Sequence, residues 1–187
     1  MKQINNKGGI ILKKLLSFII SIGMALSIGT VPAMAAATET NQKGKLKVNY
    51  IDVGQADSIF IELPNKQTML IDAGTNEAGS TVVKYIKDLG YSKVDYLIGT
   101  HPHEDHIGGL DDIINTFSIG KIYMPKVAHT TKTFEDVLNA IQNKRLKVTT
   151  AKAGVSILNQ DNLTADILAP VKDSYQDLNN YSAVIKL

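Results

Sequence analysis

Three of the chain's four histidines fall within six positions, in Thr100-His101-Pro102-His103-Glu104-Asp105-His106-Ile107-Gly108-Gly109. Imidazole nitrogens and carboxylate oxygens are the donors that borderline divalent ions such as zinc select. A core has no use for so many titratable groups side by side, because each needs a buried partner of its own. The stretch therefore reads as a metal site, against the plainer reading of a solvated, pH-sensitive loop. His101 and His103 are two apart, so in an extended segment both rings lean to one side and hold one ion. Asp105 and His106, past a bend, point to a second. Two such ions share a bridging hydroxide, lower that water's pKa and polarise the bond it attacks. Pro102 stiffens the segment, and Gly108-Gly109 are expected to let the backbone pass close to the ions. The chain has no cysteine, so histidine, carboxylate, amide and water are the only ligands to hand.

Other polar residues read less sharply. Asp72 ends Met69-Leu70-Ile71 and either accepts the free ring N–H of a ligand histidine, fixing its tautomer, or starts a loop as an Asx-turn. Asp57-Ser58 either supports the ligands from behind or forms a turn, and reads better as the turn; His129 reads as an isolated surface-loop histidine rather than a ligand, and Glu104 as facing solvent.

The elements that must position these residues follow from periodicity. Leu46, Val48 and Tyr50 alternate with Lys45, Lys47 and Asn49, a strand with one wet face. Strands are expected at 58–63, ended by the Pro64-Asn65 turn, and at 68–71. Val82, Val83, Ile86 and Leu89 give a helix from about Gly79, stopped by Gly90. Residues 94–100 are apolar enough for a strand buried on both faces, and they deliver the histidines at their carboxyl end. A short helix over 110–117 and a strand over 121–125 come next. Thr133 to Asp136 has capping-box spacing, opening a helix with a Phe134, Val137, Leu138 and Ile141 stripe. Strands are expected again at 146–151, 155–158, 163–168 and 183–187.

The amino-terminal stretch has a different character. Residues 1–35 hold four lysines, no acid, an apolar run and Ala33-Met34-Ala35, the order of a secretory signal peptide with its cleavage site. Residues 36–45 read as a linker and 46–187 as one domain, secreted or held in the cell envelope, with no stable membrane insertion after cleavage. The formal charge of the whole chain is +2, and removing the leader's four lysines leaves about −2. That balance gives no support for nucleic acid as a partner.

The cluster Thr-His-Pro-His-Glu-Asp-His-Ile-Gly-Gly-Leu resembles the His-x-His-x-Asp-His signature of the metallo-β-lactamase superfamily. Tyr50 to Ser58 (Tyr-Ile-Asp-Val-Gly-Gln-Ala-Asp-Ser) and Met69 to Gly74 are similar to one branch of it, the carboxyl-terminal domain of ComEC competence proteins and their secreted stand-alone relatives. The resemblance implies an α/β fold, the αββα sandwich, with a dinuclear site at one edge. It implies His101 and His103 on the first ion, Asp105 and His106 on the second, and Asp72 in the strand-end aspartate role. Asn180 stands about where many members carry a further histidine and is a weak candidate ligand. Two zinc ions are implied, with manganese as the alternative. Ala56 stands where the branch has glycine, and His103 where ComEC proteins themselves often have aspartate. The family's bridging aspartate and last histidine find no match before Leu187, so the sandwich is expected to be incomplete and the chain truncated. The function implied is a secreted metal-dependent hydrolase using a metal-bound hydroxide on a phosphodiester or ester-type bond, in a small molecule or a nucleic acid. The alternative is a non-catalytic envelope or DNA-uptake binding protein with an incomplete metal site.

Overall fold

The structure, a computed structural model, describes residues 44–160 and 162–187. The expected signal peptide and linker residues 36–43 lie outside the described residues.

Two sheets and one layer of helices make up the described part. The first sheet has six strands in sequence order: β1 (Lys47–Tyr50), β2 (Ile59–Glu62), β3 (Thr68–Ile71), β4 (Lys93–Ile98), β5 (Ser118–Met124) and β6 (Val148–Thr150). The β1–β2–β3 pairings are antiparallel and the β3–β4–β5–β6 pairings parallel. Each parallel step needs a crossover, and helices provide it. These are α1 (Gly79–Asp88), then α2 (Glu104–Ile107) with α3 (Leu110–Thr116), and α4 (Lys132–Asn143). The second sheet is antiparallel, with β7 (Ser156–Gln160), β8 (Leu163–Ala169) and β9 (Val184–Lys186).

The period-two pattern of the central strands divides the core. Phe60, Leu70, Leu97 and Ile122 face the helices and pack on Val82, Ile86, Ile107, Leu110, Ile113, Val137 and Ile141. Ile61, Met69, Tyr96, Ile98 and Tyr123 face the other way, onto Ile157, Leu158, Ala165 and Ile167 of the second sheet. Each fully buried aliphatic or aromatic side chain contributes about 1.5–3 kcal/mol. Helices, sheet and second sheet are three layers of the expected αββα sandwich, and the described fold is that sandwich in part.

Several local expectations change. The apolar row of β1 is exposed, with Leu46, Val48 and Tyr50 at 46%, 43% and 78%. β1 is an edge strand, and the inter-sheet cluster reaches only as far as Ile61 and Leu63. Helix α4 begins at Lys132, because Thr131, rather than Thr133, is the cap whose hydroxyl oxygen accepts from Phe134 N–H. Its stripe runs through Val137, Ala140 and Ile141, and Leu138 is turned outward. Ala56 is not among the positive-φ residues, so that turn does not need glycine there.

Candidate metal centre

Strands β3 and β4 run parallel with Ile71 opposite Ile98, so their carboxyl ends finish side by side. Open parallel sheets bind ligands at this end. The chain leaves β3 through Asp72 at φ 57, a left-handed conformation that aspartate tolerates better than most residues. Its N–H still donates to Ile98 O at 2.9 Å, while the side chain turns toward the continuation of β4. Asp72 Oδ1 accepts from Thr100 N–H at 2.8 Å, and Oδ2 accepts from the Thr100 hydroxyl at 2.6 Å and from His106 Nδ1 at 2.8 Å. The carboxylate is 2% exposed. Burial pushes its pKa up, against the pull of His106 and Thr100.

Past Thr100 the chain carries His101 and Pro102 inward and then enters α2, with His103 at the N-cap and Asp105 and His106 in the first turn. The three rings gather: His101 lies 4.7 Å from His103 and 4.1 Å from His106 between centroids. Their tautomers follow from the neighbours. The Thr100 hydroxyl donates to Asp72, and the Ser182 hydroxyl donates to Asn179 O at 2.6 Å. Both hydroxyls therefore have only lone pairs to offer His101 Nδ1, which contacts them at 3.1 and 3.2 Å. Nδ1 carries the hydrogen, and the Nε2 lone pair of His101 faces into the site. The same logic holds for His106, whose Nδ1–H donates to the Asp72 carboxylate and leaves Nε2 free.

Electrostatics sharpen the difference between the two. Burial, helped by His106 and His103, pushes His101 down to about 4, so this ring is a neutral donor at physiological pH. Burial alone would also push His106 down, but the hydrogen bond and charge of Asp72, with Asp105 and Asp57 behind, hold it above the ordinary value. Asp105 Oδ2 lies 3.7 Å from His106 Nε2 with half its side chain exposed.

The donor set fits divalent ions in chemistry, and its first pair fits in spacing. Two nitrogens on one tetrahedral ion stand about 3.3 Å apart at ordinary zinc–nitrogen distances. His101 Nε2 and His103 Nδ1 are 3.0 Å apart. The arrangement consists of pairs: among the described residues, no three histidine, aspartate or glutamate side chains are already gathered as one ion requires. His101 and His103 instead satisfy each other, and no buried side-chain nitrogen or oxygen among the described residues lacks a partner.

Distant segments contribute more than local spacing indicated. Ser58 is buried and donates to Asp72 O at 3.1 Å, and Asp57 Oδ2 stands 3.7 Å from His106 Nδ1. These are neighbours of the site as well as turn residues. Exposed Glu104 accepts from Asn76 N–H at 2.7 Å. Gly108 and Gly109 serve backbone packing: a Cβ would fall 2.2 Å from Asn76 N at the first and 2.5 Å from Ala73 O at the second. Asn180 is exposed in the Leu178–Tyr181 turn, and its N–H donates to Asp177 O. From that turn Ser182 and Asn179 are the residues that act on His101. His129, read as isolated, has its ring 6.2 Å from that of His103. Of these, Asp57-Ser58 carried a signal in the sequence, as the end of the Tyr50 to Ser58 motif.

Residues 51–174 match the family described as Metallo-beta-lactamase superfamily. ComE operon protein 3 of Bacillus subtilis (strain 168) is 26% identical over 156 residues, covering 74% of this chain and 20% of that protein. The chain thus spans about a fifth of the length of that curated relative. Among solved structures, a Cronobacter sakazakii metallo-β-lactamase with an HARLDQ motif has a TM-score of 0.46 at 18% identity, covering 65% of this chain and 49% of that one. A diphosphatase of the PhnP family has a TM-score of 0.37 at 18% identity, covering 59% and 42%. The family match spans more than half of the chain and the partial αββα architecture agrees with it; similarity to ComE operon protein 3 points toward the ComEC-like branch, and the chain belongs to the metallo-β-lactamase superfamily.

Proposed function

We propose that this chain is an exported, metal-dependent hydrolase acting on a phosphodiester or ester-type bond. One observation carries the reading: the ring nitrogens of His101 and His106 that face away from the site are tied to Thr100, Ser182 and Asp72, which turns both Nε2 lone pairs into the site, where an ion would take the place of the hydrogen now shared between His101 Nε2 and His103 Nδ1. His101 and His103 would hold a first ion, and Asp105 and His106 a second, with zinc expected and manganese as the alternative. Bound there, divalent ions supply Lewis acidity, making a water more acidic and polarising the ester. The chain's own residues do the rest. Asp72 and Thr100 hold His106 and His101 in the tautomers that present Nε2, and the half-exposed Asp105 is placed to take a proton at its free oxygen.

The resemblance of the Tyr50 to Ser58 and Met69 to Gly74 motifs to competence proteins leads us to a phosphodiester, in a nucleic acid or a small molecule, rather than a β-lactam. The charge and apolar pattern of residues 1–35 supports export, and no helix among the described residues is long and apolar enough to cross a membrane. The reading is tested by elemental analysis of the purified protein and by turnover of bis(p-nitrophenyl) phosphate, plasmid DNA and a β-lactam. Bound zinc or manganese and hydrolysis of a phosphodiester are expected, both lost in His101→Ala/His103→Ala. Absence of metal, or hydrolysis unchanged in the double variant, sinks it. The pairwise donor arrangement favours a second reading, a non-catalytic binding protein; metal bound without turnover of any of the three substrates selects it.

A further inference from the structure

The fourth histidine is not used by the metal centre, yet the fold brings it there. His129 lies in the loop between β5 and α4, half-buried, its ring nearly perpendicular to that of His103 at 6.2 Å. The loop does not leave it free to swing. His129 Nδ1 is 3.1 Å from Thr131 Oγ1, and that oxygen also accepts from Phe134 N–H to start helix α4. The hydroxyl has a single proton and already uses a lone pair on the helix. Its second lone pair can accept an Nδ1–H instead; the tautomer we take is the one in which the hydroxyl donates to His129 Nδ1 and His129 Nε2 carries hydrogen. A ring nitrogen bearing hydrogen cannot ligate an ion, but it donates well to an oxygen. Helix α4 anchors this donor through its own cap, and Val137 and Ile141 fix the helix in the core.

We propose that His129 is a substrate-binding residue: its Nε2–H, with the ring held by the Thr131 cap beside His103, donates to an oxygen of the bound ester, a non-bridging oxygen where the substrate is a phosphodiester. The assignment rests on the hydrolase reading of the same site, which names the ligand, and it differs from a ligand role in what it leaves untouched. His103 remains the ion's ligand and His129 grips what the ion activates.

The experiment uses the full chain loaded with zinc and two probes, inorganic phosphate and bis(p-nitrophenyl) phosphate, with binding followed by calorimetry. Loss of one donor weakens a polar ligand by about tenfold. His129→Ala is therefore expected to bind both probes about tenfold more weakly and, where turnover is seen, to raise KM with little change in kcat. His129→Gln, which keeps an N–H donor, recovers part of the affinity. Zinc affinity, measured separately by competition with a chelator, stays at the wild-type value in both variants. Probe affinity equal to wild type in His129→Ala overturns the proposal, as does a wild type that binds neither probe. A fall in zinc affinity overturns it too, in favour of a ligand role. Binding that depends on His129 in a protein that hydrolyses nothing leaves the assignment standing and removes the hydrolase reading instead.

Discussion

The two ends of the β3–β4 ladder carry the same small motif, an aspartate on one strand accepting from a threonine on the other. At the amino end Asp95 Oδ2 accepts from Thr68 N–H at 2.9 Å, while the Thr68 hydroxyl, 3.4 Å from the same oxygen, has Lys93 O nearer at 3.1 Å. At the carboxyl end Asp72 accepts from Thr100 N–H at 2.8 Å and its hydroxyl at 2.6 Å. What differs is the remaining partner. Asp95 pairs with Lys93, whose ammonium is largely in water, and the arrangement closes there. Asp72 is buried, sits at a positive φ and takes His106 as its third donor. A similar device thus staples two strands at one end and orients an imidazole at the other. The lesson is that a strand-end aspartate acquires a functional role from the group that meets it, and that group arrives from another element.

Breaking the carboxyl end has the largest expected effect. Asp72→Ala strips His106 of its orienting partner and lowers zinc affinity by about 10–100-fold, read by chelator competition; affinity within a factor of two of wild type would reduce Asp72 to a turn residue. Asp95→Ala, its counterpart, removes the hydrogen bond from Thr68 N–H and a partly buried ion pair for about 1–2 kcal/mol of stability. Zinc affinity stays where it was, and a drop there would erase the distinction between the two ends.

Next is a pH effect confined to the carboxyl end. His101 has its pKa lowered to about 4 in the folded chain from 6.5. Between those values the unfolded chain takes up a proton that the folded one refuses, so stability falls as pH drops through this window. His106 is shifted the other way and contributes stability that is present below its ordinary value and lost as pH rises through its folded one. In the metal-stripped protein, denaturation midpoints should therefore decline on acidification, and more shallowly in His101→Gln. Parallel profiles for the two proteins would show that His101 does not carry the effect. The smallest effect belongs to a strand at neither end: Val48→Thr, on the exposed row of β1, shifts stability by no more than about 0.5 kcal/mol.

Much of the architecture was legible because it is local. The short apolar runs in 58–63 and 68–71, the helical spacing of Val82 and Ile86 and the apolar run ending at Ile98 each lie within one element, and the structure places strands and helices there. Misreadings arose where a neighbour decides. Leu46, Val48 and Tyr50 have the pattern of a buried row, but nothing among the described residues packs over them. Thr133 has the spacing of a cap, yet Thr131 holds that position because the chain bends two residues earlier.

For the site the division is similar. The sequence by itself determined the donor types and the family, because His101, His103, Asp105 and His106 lie within six residues and a six-residue spacing survives any fold. The tertiary structure alone decided which nitrogen of each ring faces inward. Those tautomers depend on Asp72, 34 residues from His106, and on Ser182, 81 residues from His101. It alone brought Asp57, Ser58 and His129 to the same strand ends, through parallel pairing and crossovers that no local spacing encodes. Residue chemistry is written in the chain. The direction in which that chemistry points is set by contacts between segments far apart in it.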